Sequence, residues 1–327
     1  MPDPAVQSRG LVQPLPPGPV DVVADVHGEI GELRRLVELL GYDDDGRHAE
    51  GRVLVLLGDL VDRGPDSPAV VDAVRRMMEC GGARCVLGNH ELNILRDRPK
   101  GHNAWFFGQE PVRAGVASLP AERRAEVLAF FRSLPLALER EDLRVVHACW
   151  DDAAVQRARA ADDTLALHAA CSRAIHARLR ERPAVDEVQR ILDLQNDNAV
   201  NVLTSGPEKR AAAVFFAGGR ERNEARARWW DDYRGPFCVF GHYWRVRVPQ
   251  RDDGEPLFAG VPLLAALGPA PGTCACIDYS VGGLAYERRA GLPVGGYALA
   301  ALRWPEREVC FSNGRRGPML AAADPDD

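Results

Sequence analysis

The chain has 327 residues, 46% of them hydrophobic, enough to bury a large core. A formal net charge of −6 argues against a general nucleic-acid binder, and no run of about 20 apolar residues offers a membrane span. Eight cysteines without regular spacing suit reduced thiols in a cytosolic protein better than a disulfide framework.

Residues 1–19 are proline-rich, lack the basic start and apolar stretch of a signal peptide, and read as a flexible arm. Val20–Ala24 is a buried-strand run, and Glu29–Leu40 carries Ile30, Leu33, Leu36, Val37 and Leu40 at helical spacing before Gly41. Tyr42–Gly51 is a charged turn, Arg52–Leu57 a second strand, and Asp66-Ser67-Pro68 opens a helix running to about Glu79, stopped by Gly81-Gly82. Ala83–Leu87 is the third strand of this β-α-β-α-β series, whose crossovers make it parallel. Ala121–Ser133 and Ala153–Ile191 have helical periodicity, while Leu143–Val146 and Phe237–Phe240 are apolar strand runs. Residues 151–235 thus read as a mostly helical insertion within one domain spanning 20–320. It is expected to wall the substrate cleft with Trp229 and Trp230. Cys274–Asp278, Tyr297–Trp304 and Glu308–Ser312 return to strand, with Cys274 and Cys276 as core thiols, and residues 321–327 read as a flexible tail.

Three polar motifs sit where strands stop: Asp25-Val26-His27-Gly28, Gly58-Asp59-Leu60-Val61-Asp62-Arg63-Gly64 and Gly88-Asn89-His90-Glu91. The steps Gly28–Gly58 and Gly58–Gly88 are each 30 residues, about one βα unit, so the three strand ends lie side by side. Carboxylate, imidazole and amide oxygen suit borderline and hard divalent ions such as Mn²⁺, Fe²⁺ and Zn²⁺. A single Asp between two His-bearing loops can bridge two ions roughly 3.5–4 Å apart, and Asp59 is the natural bridge. His102 is a loop histidine close enough to the third motif for a substrate contact. His48, His168 and His176 are expected to be solvated, and Glu91 to be a charge at a helix start.

This motif set resembles the calcineurin-like metallophosphoesterases, in particular their phosphoprotein-phosphatase branch. Val145-Val146-His147-Ala148 and Phe240-Gly241-His242 look like that family's two later ligand histidines. The resemblance implies a four-layer αββα sandwich of α/β class with a mostly helical insertion. It implies one metal on Asp25, His27 and Asp59 and a second on Asp59, Asn89, His147 and His242, with Mn²⁺ the expected ion and Fe or Zn the alternatives. A hydroxide bridging the ions would attack phosphorus in line. His90, oriented by Asp62, would be the general acid, and Arg63 and Asn89 would bind the phosphate. A second phosphate-binding arginine is usual in the family, with Arg228, Arg234 and Arg245 as candidates.

The motifs favour a phosphorylated substrate of the phosphoserine or phosphothreonine kind, with bis(5'-nucleosyl)-tetraphosphate as the alternative and 2',3'-cyclic nucleotides or RNA ends as a second alternative. Cys276–Leu284 resembles a segment of the bacterial dinucleotide hydrolases, and the Ser-Ala-Pro-Asn-Tyr loop of eukaryotic protein phosphatases is missing. A non-catalytic scaffold of the same fold is disfavoured by the full ligand and histidine complement.

Overall fold

Within the proline-rich opening, Val12–Pro14 forms a strand, β1, and Leu11 and Leu15 beside it are buried. The expectation of a flexible arm over residues 1–19 is corrected from residue 10 onward: two leucines among the prolines bury apolar area that no solvated arm would hide. The computed structural model describes residues 10–108, 115–182, 184–217, 220–246, 248 and 257–322. Residues 1–9 of the expected arm and 323–327 of the expected tail lie outside the described residues.

The expected alternation follows: β2 (Val20–Val23), α1 (Ile30–Leu39), β3 (Val53–Leu56), α2 (Ser67–Glu79) and β4 (Ala83–Cys85), with β2, β3 and β4 parallel neighbours. The Asp66 carboxylate caps α2 by accepting the Ala69 N–H at 2.9 Å, and Pro68 sits in the first turn. Three helices come next, α3 (Asn89–Leu95), α4 (Ala104–Phe107) and α5 (Arg124–Ser133), then β5 (Ala137–Glu139) and β6 (Leu143–Val146).

Between residues 151 and 235 lie α6 (Asp152–Arg159), α7 (Thr164–Arg180), α8 (Glu187–Asn196) and α9 (Ala199–Ser205). A hairpin of β7 (Glu208–Ala217) and β8 (Arg220–Arg226) completes the insertion. The remaining elements are β9 (Phe237–Phe240), β10 (Cys274–Cys276), α10 (Leu284–Ala290), β11 (Ala300–Trp304), β12 (Glu308–Phe311) and β13 (Arg316–Pro318).

One sheet has the order β13-β12-β11-β2-β3-β4 and the other β1-β5-β6-β9-β10. They share one hydrophobic core and, with helices outside, make the four-layer αββα sandwich. Parallel β2, β3 and β4 end beside parallel β6, β9 and β10, so two sheets present strand C-termini to one place. Cys274 and Cys276 are buried, and all eight cysteines are free thiols.

One charge lies deep in the strand layer. Asp21 of β2 has no solvent exposure and accepts two hydrogen bonds from the Arg52 guanidinium, at 2.7 and 2.9 Å, and one from the Tyr42 hydroxyl at 2.7 Å. Arg52 also reaches Glu306 at 2.8 Å, tying the start of β3 to the turn after β11. Removing Arg52 leaves the buried Asp21 carboxylate with the Tyr42 hydroxyl and the longer 3.3 Å contact to Arg303, so Arg52→Leu should cost about 3 kcal/mol in urea unfolding. The double variant Asp21→Leu/Arg52→Leu should cost less than Arg52→Leu alone, and an Arg52→Leu loss under about 1 kcal/mol would show the pair to be incidental.

Candidate metal centre

The first two motifs and the turn at His242 are tight because their backbones leave the usual regions of φ/ψ space, whereas the third motif runs from extended Gly88 into α3. Asp59, Asp62 and Arg63 have φ of 46°, 74° and 73°, His27 has 50°, and His242 has 65°. Such left-handed non-glycine residues cost energy and cluster where geometry is functional. Glycine is required where the turns touch. A Cβ on Gly88 would lie 2.2 Å from the Asp59 nitrogen, and one on Gly58 would lie 2.4 Å from the Gly88 nitrogen.

The structure brings Asp25, His27, Asp59, Asn89, His90, His147 and His242 together. Asp59 belongs to two clusters whose ligand atoms lie within 4.8 Å of one another, one with His27 and His90, the other with His147 and His242. Asn89 Oδ1 lies 2.8 Å from His242 Nδ1 and 3.3 Å from His147 Nε2. Asp25 accepts the His242 N–H at 3.1 Å, joining the first motif to the last ligand strand.

These residues fit divalent cations. A carbonyl oxygen only accepts, so Nδ1 of His147, 2.7 Å from the Leu57 carbonyl, carries the hydrogen and turns Nε2 toward Asp59. His27 Nδ1 likewise faces the Val61 carbonyl at 3.3 Å, while its Nε2 is buried without a hydrogen-bond partner, as a ligand atom would be. Burial, with Arg63 and His90 nearby, holds the His27 pKa well below its ordinary value, so its imidazole is neutral.

The other groups oppose one another. Burial and Asp278 raise Asp25 well above the usual carboxylate range. For Asp59 burial acts upward, but His147 and His90 outweigh it and the net direction is down. Burial lowers His147, yet Asp59 and Asp25 push it up to about 10.

His90 Nδ1 donates to Asp62 Oδ2 at 2.5 Å, and the Trp105 indole donates to Asp62 Oδ1 at 2.6 Å. Arg63 Nη2 lies 3.3 Å from His90 Nε2, and its guanidinium rests over the Trp244 ring at 4.9 Å. The His102 ring lies tilted 4.9 Å from that of His90, its Nε2 is 3.4 Å from Asp62 Oδ2, and burial pushes its pKa down to about 2. A Cβ on Gly282 would lie 2.8 Å from Arg63 and 3.0 Å from His27, so this glycine lets the segment after β10 close against the site.

The centre opens into a cleft of about 800 Å³ lined by Arg63, Arg222, Arg226, Arg289, Trp244 and Tyr286, among others. The expected arginines lie elsewhere. Arg228 pairs with Asp231 at 2.9 Å and bonds the Leu257 carbonyl, Arg234 bonds the Asp231 carbonyl, and Arg245 bonds the Pro262 carbonyl. Each is engaged by loop oxygens away from the cleft, and Arg226, which donates to the His242 carbonyl at 3.2 Å, stands beside the candidate ligands instead.

Trp229 and Trp230 do not wall the cleft either. Trp230 is fully buried between Phe240 and Phe258, Trp229 donates to the Ala148 carbonyl at 3.0 Å, and the wall is the β7–β8 hairpin with α8 and α9. Two of the histidines expected in solvent are also engaged. His48 Nε2 lies 3.1 Å from the Leu40 carbonyl, and His168 is buried, which pushes it down to about 4; His176 is exposed.

The family model for calcineurin-like phosphoesterase matches residues 18–243. The chain belongs to the calcineurin-like phosphoesterase family. The clustered carboxylate, imidazole and amide side chains are of the kind that holds divalent ions.

Over 137 residues it is 36% identical to an asymmetrical bis(5'-nucleosyl)-tetraphosphatase PrpE of Bacillus velezensis, covering 39% of this chain and 55% of that one. Over 138 residues it is 36% identical to a symmetrical bis(5'-nucleosyl)-tetraphosphatase of Aeromonas salmonicida, covering 39% and 45%. The matched stretches span about half the length of these relatives. A cold-active protein-tyrosine phosphatase of a psychrophilic Shewanella shares the fold, with a TM-score of 0.52 at 17% identity over 94% of this chain and 83% of that one. No helix among the described residues is long and apolar enough to cross a membrane.

Glu91 has a larger part than a charge at a helix start. Its carboxylate is fully buried and accepts N–H groups from Asp59 (2.9 Å), Leu60 (2.8 Å) and Gly88 (3.0 Å). Glu91→Gln puts an amide NH₂ against backbone donors, so it should destabilise the fold by about 1–3 kcal/mol and lower metal content at fixed Mn²⁺. Urea unfolding and metal analysis check this, and wild-type values in both would reduce Glu91 to a dipole partner.

Proposed function

We propose that this phosphoesterase hydrolyses dinucleoside polyphosphates of the bis(5'-nucleosyl)-tetraphosphate class. Two divalent ions, Mn²⁺ first, would be held by Asp25, His27 and Asp59 on one side and by Asp59, Asn89, His147 and His242 on the other. The observation that carries the substrate class is the cleft. Its 800 Å³ far exceeds what a single phosphorylated side chain occupies, and its arginines share the lining with Phe215, Trp244 and Tyr286, Arg63 lying over the Trp244 ring. Guanidinium groups suit a phosphate chain, and ring faces suit bases at its ends. The tetraphosphatase names of the relatives support this choice over the phosphoserine or phosphothreonine reading that the motifs alone favoured.

When bound, the ions supply Lewis acidity toward the phosphoryl oxygens and activate water at neutral pH. The chain's own groups do the rest. Arg63 and Arg226 bind phosphoryl oxygens and offset the charge that grows on them. His90, its Nδ1 held by Asp62, donates a proton from Nε2 to the departing oxygen. The Trp105 indole fixes Asp62, and so the angle at which His90 faces the substrate.

The Mn²⁺-loaded protein is expected to show at least about tenfold higher kcat/KM on diadenosine tetraphosphate than on a phosphoserine peptide or a 2',3'-cyclic nucleotide, more than 1.4 kcal/mol of discrimination. A preference for the peptide would restore the protein-phosphatase reading. His90→Ala should slow alkyl phosphate turnover by about 10²–10⁴, with a smaller loss on an aryl phosphate whose leaving group needs no proton. Equal losses on both esters would remove His90 as proton donor.

A further inference from the structure

The cleft wall that continues α3 carries three cations within five residues, Arg96, Arg98 and Lys100. Among the described residues, no side chain of the three has a hydrogen-bond or ion-pair partner. The arginine of the β7–β8 hairpin in the same lining is different, since Arg222 is held by Glu224 at 3.2 Å and Glu208 at 3.4 Å. Burial and the neighbouring Arg98 push Arg96 down to about 10 and push Lys100 down as well. Like charges set this close repel, and an anion among them relieves the repulsion.

The loop that holds them is built. Asp97 turns the chain with φ of 51°, and the Arg98 N–H donates to the Asn93 carbonyl at 3.0 Å. Asn103 is fully buried, and its side chain accepts the Lys100 N–H at 2.6 Å and donates to the Arg98 carbonyl at 3.0 Å. The backbone carrying the cations is thus fixed beside the ligand Asn89, which lines the same cleft.

We infer that Arg96, Arg98 and Lys100 form a second anion subsite, which takes the phosphates of an oligophosphate chain beyond the one at the metal centre. This rests on the dinucleoside polyphosphate reading and goes beyond it, since it names the residues that measure the length of the chain. A monophosphate ester leaves the subsite empty, and a tetraphosphate spans both positions.

The test is inhibition of aryl phosphate hydrolysis by inorganic tripolyphosphate and by orthophosphate at fixed free Mn²⁺, in wild type and in Arg96→Gln/Arg98→Gln/Lys100→Gln. Wild type should bind tripolyphosphate at least about tenfold more tightly than orthophosphate. The variant should lose that advantage, with a far smaller change in the orthophosphate constant. If the triple variant does not fold, Arg98→Gln and Lys100→Gln singly should each lose part of it.

The KM for diadenosine tetraphosphate should rise by about the same factor with little change in kcat. Tripolyphosphate inhibition unchanged in the variants overturns the subsite, even if the dinucleotide is the substrate. A wild type that ignores the dinucleotide yet loses tripolyphosphate affinity on substitution overturns the substrate reading and leaves the subsite standing.

Discussion

The carboxylate of Glu91 is the fixed point of the metal centre. It gathers three backbone N–H groups from two loops that are about 30 residues apart in the chain, and does so without solvent. The loops then meet backbone to backbone at Gly58 and Gly88, a closeness that any side chain would forbid. Asp59 is oriented in turn, its Oδ1 accepting the His90 N–H at 2.9 Å. The carboxylate proposed to bridge the ions, the amide proposed as a ligand and the histidine proposed as general acid thus share one rigid frame. Burial and Asp59 push Glu91 itself up to about 8, the cost of placing one more carboxylate where the neighbours are already negative.

Around that frame the protein stores electrostatic and conformational energy. Asp25 is forced upward and Asp59 downward in pKa, His27 downward and His147 upward, within one small volume. Five of the residues there hold positive φ without being glycine. Neither feature stabilises the fold by itself. The strained backbone holds the candidate ligand atoms toward one place in advance.

Much of this was legible in the sequence because each candidate ligand follows an apolar run. The runs predicted β2, β3, β6 and β9, and the equal 30-residue steps predicted that the first three motifs would lie side by side. What escaped was whatever depends on contacts distant in sequence. Trp105 looks like any core aromatic, and only its indole hydrogen bond to Asp62 marks it. Arg226 and Arg228 are alike in the sequence, but hairpin β7–β8 turns the first into the cleft while Asp231 holds the second outside. The hairpin itself hid in an Ala- and Arg-rich stretch of helical composition, where the Gly218-Gly219 pair between two β-capable runs was the available signal. Leu11 and Leu15 were masked by the prolines around them.

The hydrogen bond between Asp25 and the backbone of His242 joins positions 217 residues apart. It also joins one sheet to the other, since Asp25 follows β2 and His242 follows β9. The centre is therefore an object of high contact order, and its assembly waits on a pairing between positions 217 residues apart. A ribosome that has released the first 240 residues has delivered all three opening motifs and His147, yet nothing that closes them into a site. Partly made chains carry most of the candidate ligands without the assembled centre, which forms only when the two sheets have found each other.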